Sequence, residues 1–222
     1  MIIKICGIRT LEDALVAIDA GADMLGFNFY TPSPRYITPE NCAELIASLK
    51  SQVASLSAPD SRLTTVGIFV NENPQRVQEI IETCHLDLAQ LAGDESSEDL
   101  AQLDGKAFKA VRPKSIAEAG DALKKFGRKK APALLVDSHV KGAYGGTGET
   151  GDWALVRHLS EQAPILLAGG LTPENVAAAI QTVNPWGVDV ASGVESSPGI
   201  KDPSKISAFI SAAKPEINIA KD

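Results

Sequence analysis

The chain has 222 residues, 44% of them hydrophobic and 22% charged. That is the composition of an ordinary globular domain, with enough length for one sizeable core or two small ones. A net charge of -7 argues against general nucleic-acid binding and requires any anionic ligand to be held by local cations. Cys6, Cys42 and Cys84 are scattered, with no CxxC pair, so neither a disulfide framework nor a zinc site is expected. With no leader pattern at the start and no apolar run of membrane-spanning length, the sequence reads as a soluble cytoplasmic protein.

Strand-like and helix-like segments alternate along the chain. Ile2 to Cys6 is the first strand, and Thr10-Leu11-Glu12-Asp13 opens a helix in capping-box style that closes at Gly21. Met24 to Phe29 is a second strand, and Thr38-Pro39-Glu40-Asn41 starts the next helix with Thr38 as cap. Residues Ser51 to Arg62 read as a Ser-rich connection. Thr65 to Val70 is a third strand, Asn73-Pro74 caps the helix after it, and Leu86 to Leu91 is a fourth strand followed by a short helix near Ser96 to Leu103. Ala107 to Val111 is a fifth strand. The helix beyond it ends in a basic run, Lys124 to Lys130, which reads better as a solvated helix terminus than as a nucleic-acid patch. Ala133 to Asp137 is a sixth strand, followed by a Gly-rich loop and a helix from about Asp152. Ile165 to Ala168 and Gly187 to Ala191 are the seventh and eighth strands, with Thr172-Pro173-Glu174-Asn175 capping the helix between them. Asp202-Pro203 opens a last helix, and a polar tail runs from Lys214.

Eight strand–helix units in this length predict a single (β/α)8 barrel over residues 1–213, with 214–222 as a tail. The strands are short apolar runs, as parallel strands covered on both faces should be. A doubly wound sheet would call for a GxGxxG turn after the first strand, which Cys6-Gly7-Ile8-Arg9 does not supply. The repeated Thr-Pro-Glu-Asn, at 38–41 and 172–175, reads as shared capping chemistry in preference to a relic of half-barrel duplication.

In such a barrel the reactive groups sit at the C-terminal ends of the strands. Gly169-Gly170 after strand seven and Ser192-Gly193 after strand eight occupy positions where barrels bind phosphate through backbone N–H groups. Cys6 ends strand one on the face it shares with Lys4. Taken alone a strand cysteine reads as a small buried hydrophobe, but a thiol titrates near 8.5 when unperturbed, and a neighbouring ammonium favours the thiolate, which can serve as base or nucleophile. Asp137 ends the apolar run Leu134-Leu135-Val136 and is a candidate acid, the alternative being a turn aspartate. Asp189 sits near the end of strand eight, to orient a substrate or to bond loop amides. Arg35, in the proline-stiffened loop after strand two, is either a carboxylate clamp or a surface arginine.

Taken together, these stretches resemble the phosphoribosylanthranilate isomerase family. The resemblance spans nearly the whole chain. It rests on Lys4-Ile5-Cys6-Gly7, Gly26-Phe27-Asn28-Phe29 with Ser33-Pro34-Arg35-Tyr36, Leu135-Val136-Asp137-Ser138 with Gly145-Gly146-Thr147-Gly148, Ala168-Gly169-Gly170-Leu171 with Pro173-Glu174-Asn175-Val176, and Val188 to Glu195. It implies a cofactor-free, metal-free (β/α)8 barrel that carries out an Amadori rearrangement of N-(5-phosphoribosyl)anthranilate in tryptophan biosynthesis. By that resemblance Cys6 is the general base, Asp137 the general acid and Arg35 the anthranilate-carboxylate clamp. The Gly169-Gly170 and Ser192-Gly193 loops are then the phosphate cradle, and Asp189 lies at a motif position of substrate-binding character. The implied partner is the small-molecule substrate alone, with no nucleic acid or membrane, on a monomer or homodimer.

Two positions depart from the family pattern. Gln90-Leu91-Ala92-Gly93 stands where the family usually has Gln-Leu-His-Gly, and Glu149 follows Gly148 where it usually has lysine. A lysine-to-glutamate change beside a doubly anionic substrate is not neutral. Two other readings are another phosphosugar isomerase or epimerase barrel, and a barrel that binds a phosphoribosyl ligand without turning it over. The first would be expected to place an aspartate at the end of strand one, or paired His and Asp at strand ends. Cys6 occupies the first place, and His85, His139 and His158 all lie off the strand ends.

Overall fold

The computed structural model describes residues 1–55, 63–138 and 153–214. Eight parallel strands close into a barrel in sequence order: β1 (Ile2–Cys6), β2 (Met24–Asn28), β3 (Thr64–Phe69), β4 (Leu88–Leu91), β5 (Ala107–Val111), β6 (Leu134–Asp137), β7 (Ile165–Ala168) and β8 (Gly187–Val190). Closure is made by β1 against β8, with Lys4 beside Asp189 in register. Helices α1 (Leu11–Asp19), α2 (Pro39–Ser55), α3 (Pro74–Cys84), α4 (Ser97–Ala101), α5 (Ile116–Phe126), α6 (Trp153–Ser160), α7 (Val176–Val183) and α8 (Pro203–Ala213) follow the strands in turn.

Strand alternation divides the apolar residues into two cores. Ile3, Ile5, Leu25, Phe27, Leu134, Val136, Leu167 and Val188 face outward into the layer under the helices. Met24, Val66, Phe108, Leu135 and Leu166 face inward and fill the barrel, with Leu88 and Ala110 packed against them. Residues of inward parity that lie further along the strands are Gln90, Asp137 and Asp189, and Cys6 shares the face of the buried Lys4. The interior is therefore apolar below and chemically functional at its C-terminal mouth, as the fold requires.

The predicted caps hold for most of the helices. The side chains of Thr10, Asn73 and Asp202 each accept an N–H of the first turn that follows, and Ser96 and Ser115, which the sequence does not single out as caps, do the same. Thr38 accepts the Asn41 N–H at 3.2 Å, so the first Thr-Pro-Glu-Asn opens α2 as expected. The second copy does not open α7. Its Asn175 side chain makes no capping bond, accepts the Thr172 N–H at 2.8 Å and donates to the Gly170 carbonyl at 2.9 Å. That tetrapeptide forms a turn braced onto the loop after β7, and the helix starts only at Val176.

Three further expectations change. The helix α2 continues through Ser51 to Ser55, replacing the first part of the predicted loose connection. The polar tail expected from Lys214 is anchored at that residue, whose ammonium bonds the Gly21 carbonyl at 3.1 Å and Asp23 at 2.7 Å. Between β8 and α8 lie a single 3-10 turn (Ser192–Val194) and a two-strand ladder, β9 (Glu195–Ser197) with β10 (Ile200–Lys201). Sequence periodicity does not reveal strands of three and two residues, which are shorter than one full alternation pattern.

Candidate active site

A cavity of about 310 Å³ opens at the C-terminal mouth of the barrel, at the low end of the range for small-molecule sites. Its wall brings together Gln90 and Ala92 from β4 and its loop, Arg112 after β5, Asp137 of β6, Gly169 and Gly170 after β7, and Asp189 and Ser192 from β8 and its turn.

The two glycine-containing loops are interlocked. Gly169 and Gly170 have φ of 98° and 67°, in the left-handed region. Gly193 lies so close to the backbone of Leu171 that a Cβ would come within 1.9 Å of the Leu171 carbonyl oxygen. Only glycine lets the turn after β8 press against the loop after β7 in this way, and that contact sets the two predicted phosphate loops side by side.

Cys6 ends β1 and is 8% exposed. Burial pushes its thiol above the ordinary thiol range, and Asp189 pushes it further, while the Lys4 and Lys201 ammoniums act in the opposite direction without prevailing. Lys4, completely buried inside the barrel, donates to Asp189 Oδ1 at 2.6 Å. Burial works to lower the Lys4 pKa, but the Asp189 carboxylate and the Cys6 sulfur outweigh it and raise it. The expectation that Lys4 activates the thiol is thus only half right: its ammonium does favour the thiolate, but burial outweighs it and the desolvated thiol keeps its proton to higher pH.

Asp137 ends β6 with its side chain at the cavity wall, where Oδ2 accepts a 2.8 Å hydrogen bond from Arg112 Nε. Arg112 itself is largely exposed at the rim. Sequence reading did not single it out, because an arginine after a strand carries no distinguishing pattern.

Arg35 lies over Gly7, where a Cβ would come within 2.6 Å of its Cδ, so the glycine after β1 makes room for the arginine after β2. Its Nε and Nη2 both bond Glu195, each at 2.7 Å. The bond to Glu195 raises the guanidinium pKa. Burial acts to raise the Glu195 pKa, but Arg35 and Lys201 together hold it below the ordinary carboxylate value. Lys201, also buried, bonds Glu195 at 3.1 Å and the Ala191 carbonyl at 2.8 Å. Burial lowers its pKa despite the carboxylate beside it. Arg35 is thus a partner of the β9–β10 ladder, set beside the described cavity wall and not part of it. Neither Lys201 nor the pairing of Glu195 with Arg35 is legible before the ladder is known.

Of the two departures from the family pattern, Ala92 lies in the cavity wall, so it alters the site directly. Glu149, with Gly145 to Gly148, falls outside the described residues. Among the described residues no cluster of three or more His, Cys, Asp or Glu side chains is placed to hold a metal ion, and no helix is long and apolar enough to cross a membrane.

Comparison with known proteins agrees with this geometry. The family model described as N-(5'phosphoribosyl)anthranilate (PRA) isomerase matches residues 3–212. The N-(5'-phosphoribosyl)anthranilate isomerase of Geotalea uraniireducens is 45% identical over 212 residues, covering 96% of this chain and 98% of its own. The same enzyme of Pseudomonas fluorescens strain Pf0-1 is 46% identical, covering 95% of this chain and 97% of its own. The crystal structure of phosphoribosyl anthranilate isomerase from Thermotoga maritima superposes with a TM-score of 0.80 at 37% identity, over 96% of this chain and 98% of that one. A further solved isomerase, in complex with reduced 1-(o-carboxyphenylamino)-1-deoxyribulose 5-phosphate, matches with a TM-score of 0.77 at 35% identity, over 96% of this chain and 98% of that one. Through barrel, strand-end chemistry and sequence alike, the chain belongs to the N-(5'-phosphoribosyl)anthranilate isomerase family, the isomerases of tryptophan biosynthesis.

Proposed function

We propose that the protein rearranges N-(5-phosphoribosyl)anthranilate to 1-(2-carboxyphenylamino)-1-deoxyribulose 5-phosphate, with Asp137 as general acid and Cys6 as general base. The observation that carries this reading is the shared cavity, whose wall joins Asp137 to Gly169, Gly170 and Ser192. The phosphate is held by the backbone N–H groups of those loops, with Gly193 keeping them adjacent. Asp137 gives a proton to the ribose ring oxygen as the C1′–O bond breaks and the nitrogen lone pair forms the C=N bond of an iminium. The Cys6 thiolate takes the C2′ proton. The C–H electrons form the C1′=C2′ bond, the nitrogen recovers its lone pair, and the resulting enolamine tautomerises to the ketone.

Arg35 is the clamp for the anthranilate carboxylate. Glu195 occupies Nε and Nη2, which leaves the end-on edge of the guanidinium, Nη1 and the second Nη2 hydrogen, for a second carboxylate. Holding Glu195 on one edge fixes the plane of the guanidinium for the other. Asp189, bonded to Lys4, keeps a buried charge at the floor of the site neutralised. Arg112 stabilises the charged form of Asp137 through Oδ2, and the exposure of Arg112 makes loosening that pair inexpensive when Asp137 carries a proton.

The test is to supply phosphoribosylanthranilate and follow its conversion to the aminoketose without added metal or cofactor. Turnover supports the reading. Binding of the reduced product analogue without any turnover would replace it with a ligand-binding barrel.

A further inference from the structure

We propose that Gln90 is the docking point for the anilinic nitrogen of the substrate, and that its carboxamide oxygen supports the positive charge which appears there when the ribose ring opens. This rests on the function proposed above and adds a residue to it. Gln90 has the inward parity of Leu88, which packs in the barrel interior, and its side chain reaches the cavity wall. It is only 6% exposed, yet its Oε1 is buried with no hydrogen-bond partner among the described residues. Of the wall's side chains, Arg112 and Ser192 are donors, and neither bonds this oxygen. Buried polar side chains in folded proteins are almost always paired, and the exceptions need a reason. A carbonyl oxygen kept dry and unpaired beside a ligand cavity is suited to a donor that the ligand brings.

The position selects which donor. In the closed ring β4 stands four strands from β8, across the mouth. A substrate whose phosphate is held by the loops after β7 and β8 extends past Asp137 on β6 toward β5 and β4. Its ring oxygen then meets the acid first, and the glycosidic carbon with its nitrogen comes beyond. At that end the anthranilate offers two kinds of polar group. The carboxylate has only acceptor oxygens and is repelled by a carbonyl oxygen. The anilinic N–H is a donor and fits it. Ring opening turns that nitrogen into an iminium, so the bond strengthens as the reaction proceeds. An interaction stronger in the charged intermediate than in the bound substrate lowers the barrier as well as aiding binding. A neutral amide also avoids setting a second negative charge beside the aryl carboxylate, which a glutamate would do.

The decisive variant is Gln90→Met, similar in volume and without a hydrogen-bonding oxygen. The expected result is a fall in kcat/KM of about 10- to 100-fold, chiefly in kcat, the range for losing a hydrogen bond to a charged group. Binding of the reduced product analogue, whose nitrogen is an uncharged N–H, should weaken by less. The urea midpoint should stay the same or rise, because an unpaired buried oxygen has been removed. A structural glutamine behaves oppositely: the midpoint falls while the turnover of the remaining folded enzyme is kept. Wild-type rates in Gln90→Met, or a lowered midpoint with unchanged kcat, would overturn the assignment and leave the isomerase reading standing. A wild-type protein that binds the analogue and does not turn over phosphoribosylanthranilate would overturn both.

Discussion

Removing the carboxylate of Asp189 isolates a fully buried ammonium. Lys4 is 0% exposed inside the barrel, and its salt bridge to Asp189 Oδ1 is 2.6 Å long. Breaking a buried pair by deleting one partner typically costs about 3–5 kcal/mol, because the remaining charge is left uncompensated. At roughly 2–4 °C per kcal/mol for a domain of this size, Asp189→Leu should lower Tm by about 6–20 °C. The double variant Lys4→Met/Asp189→Leu should recover most of that loss, since an apolar pair of similar volume is often as stable as the ion pair. Urea unfolding of the wild type, both single variants and the double variant closes the cycle. The pH sign follows from Lys4. Its pKa is raised above 10.5 in the folded state, so the ammonium's contribution is complete below 10.5 and is lost as pH rises through the folded value. In Asp189→Leu the carboxylate partner is gone and burial instead lowers the Lys4 pKa, so the deficit should be largest at neutral and lower pH and shrink as pH rises toward 10.5. A single-variant cost under about 1 kcal/mol, or a double variant as unstable as the single, would refute the account of Asp189 as the counter-charge of the barrel floor.

Cys6→Ala and Asp137→Asn should each lower kcat by about 10²- to 10⁴-fold in steady-state assays with the far-UV CD spectrum unchanged. Because burial holds the Cys6 thiol above the ordinary thiol range, the thiolate fraction is still rising at neutral pH. A pH profile of kcat/KM should therefore climb about tenfold per unit from 7 to 8.5, and a plateau at pH 7 would contradict the base assignment. Arg35→Ala should raise KM for phosphoribosylanthranilate by about 10-fold or more, the worth of a charge-assisted bidentate contact, while Kd for inorganic phosphate stays unchanged. Gly193→Ala meets the Leu171 carbonyl at 1.9 Å and should weaken inorganic phosphate binding, measured calorimetrically. Gly120→Ala in α5, with nothing within 4 Å of the added Cβ, should instead stabilise the protein by about 0.5–1 kcal/mol in urea unfolding.

The barrel was legible because its signals are local. Thr10, Asn73 and Asp202 cap as their side-chain chemistry dictates, and the apolar runs fall on closed strands. Parity along β6 and β8 likewise carried Asp137 and Asp189 to the mouth. What stayed hidden depends on partners distant in sequence. The two Thr-Pro-Glu-Asn segments are identical, yet one caps α2 and the other braces Gly170, because only the second follows a glycine loop whose carbonyl needs a donor. The sequence names Lys4 as an activating charge for Cys6 and Asp189, 185 residues away, as its rival, but only the assembled barrel shows the two in contact and the thiol too buried for Lys4 to prevail. Gln90 was visible as part of a motif, but the unpaired state of its oxygen is a property of the assembled wall.

The β9–β10 ladder gives the site an order of assembly. Arg35 is made early, but Glu195, which sets the plane of its guanidinium, lies 160 residues further along the chain. Lys201, which steadies Glu195, comes later still. On the ribosome, every other strand of the barrel is synthesised before the arginine acquires its partner. A contact of such sequence separation forms late, after loop closure has already been achieved by the rest of the fold. The groups proposed as acid, base and phosphate loops can thus all be present in a chain still lacking its last ladder, while the guanidinium of Arg35 has no fixed direction. Completing the C-terminal return past β8 is then the step that fixes the plane of the Arg35 guanidinium.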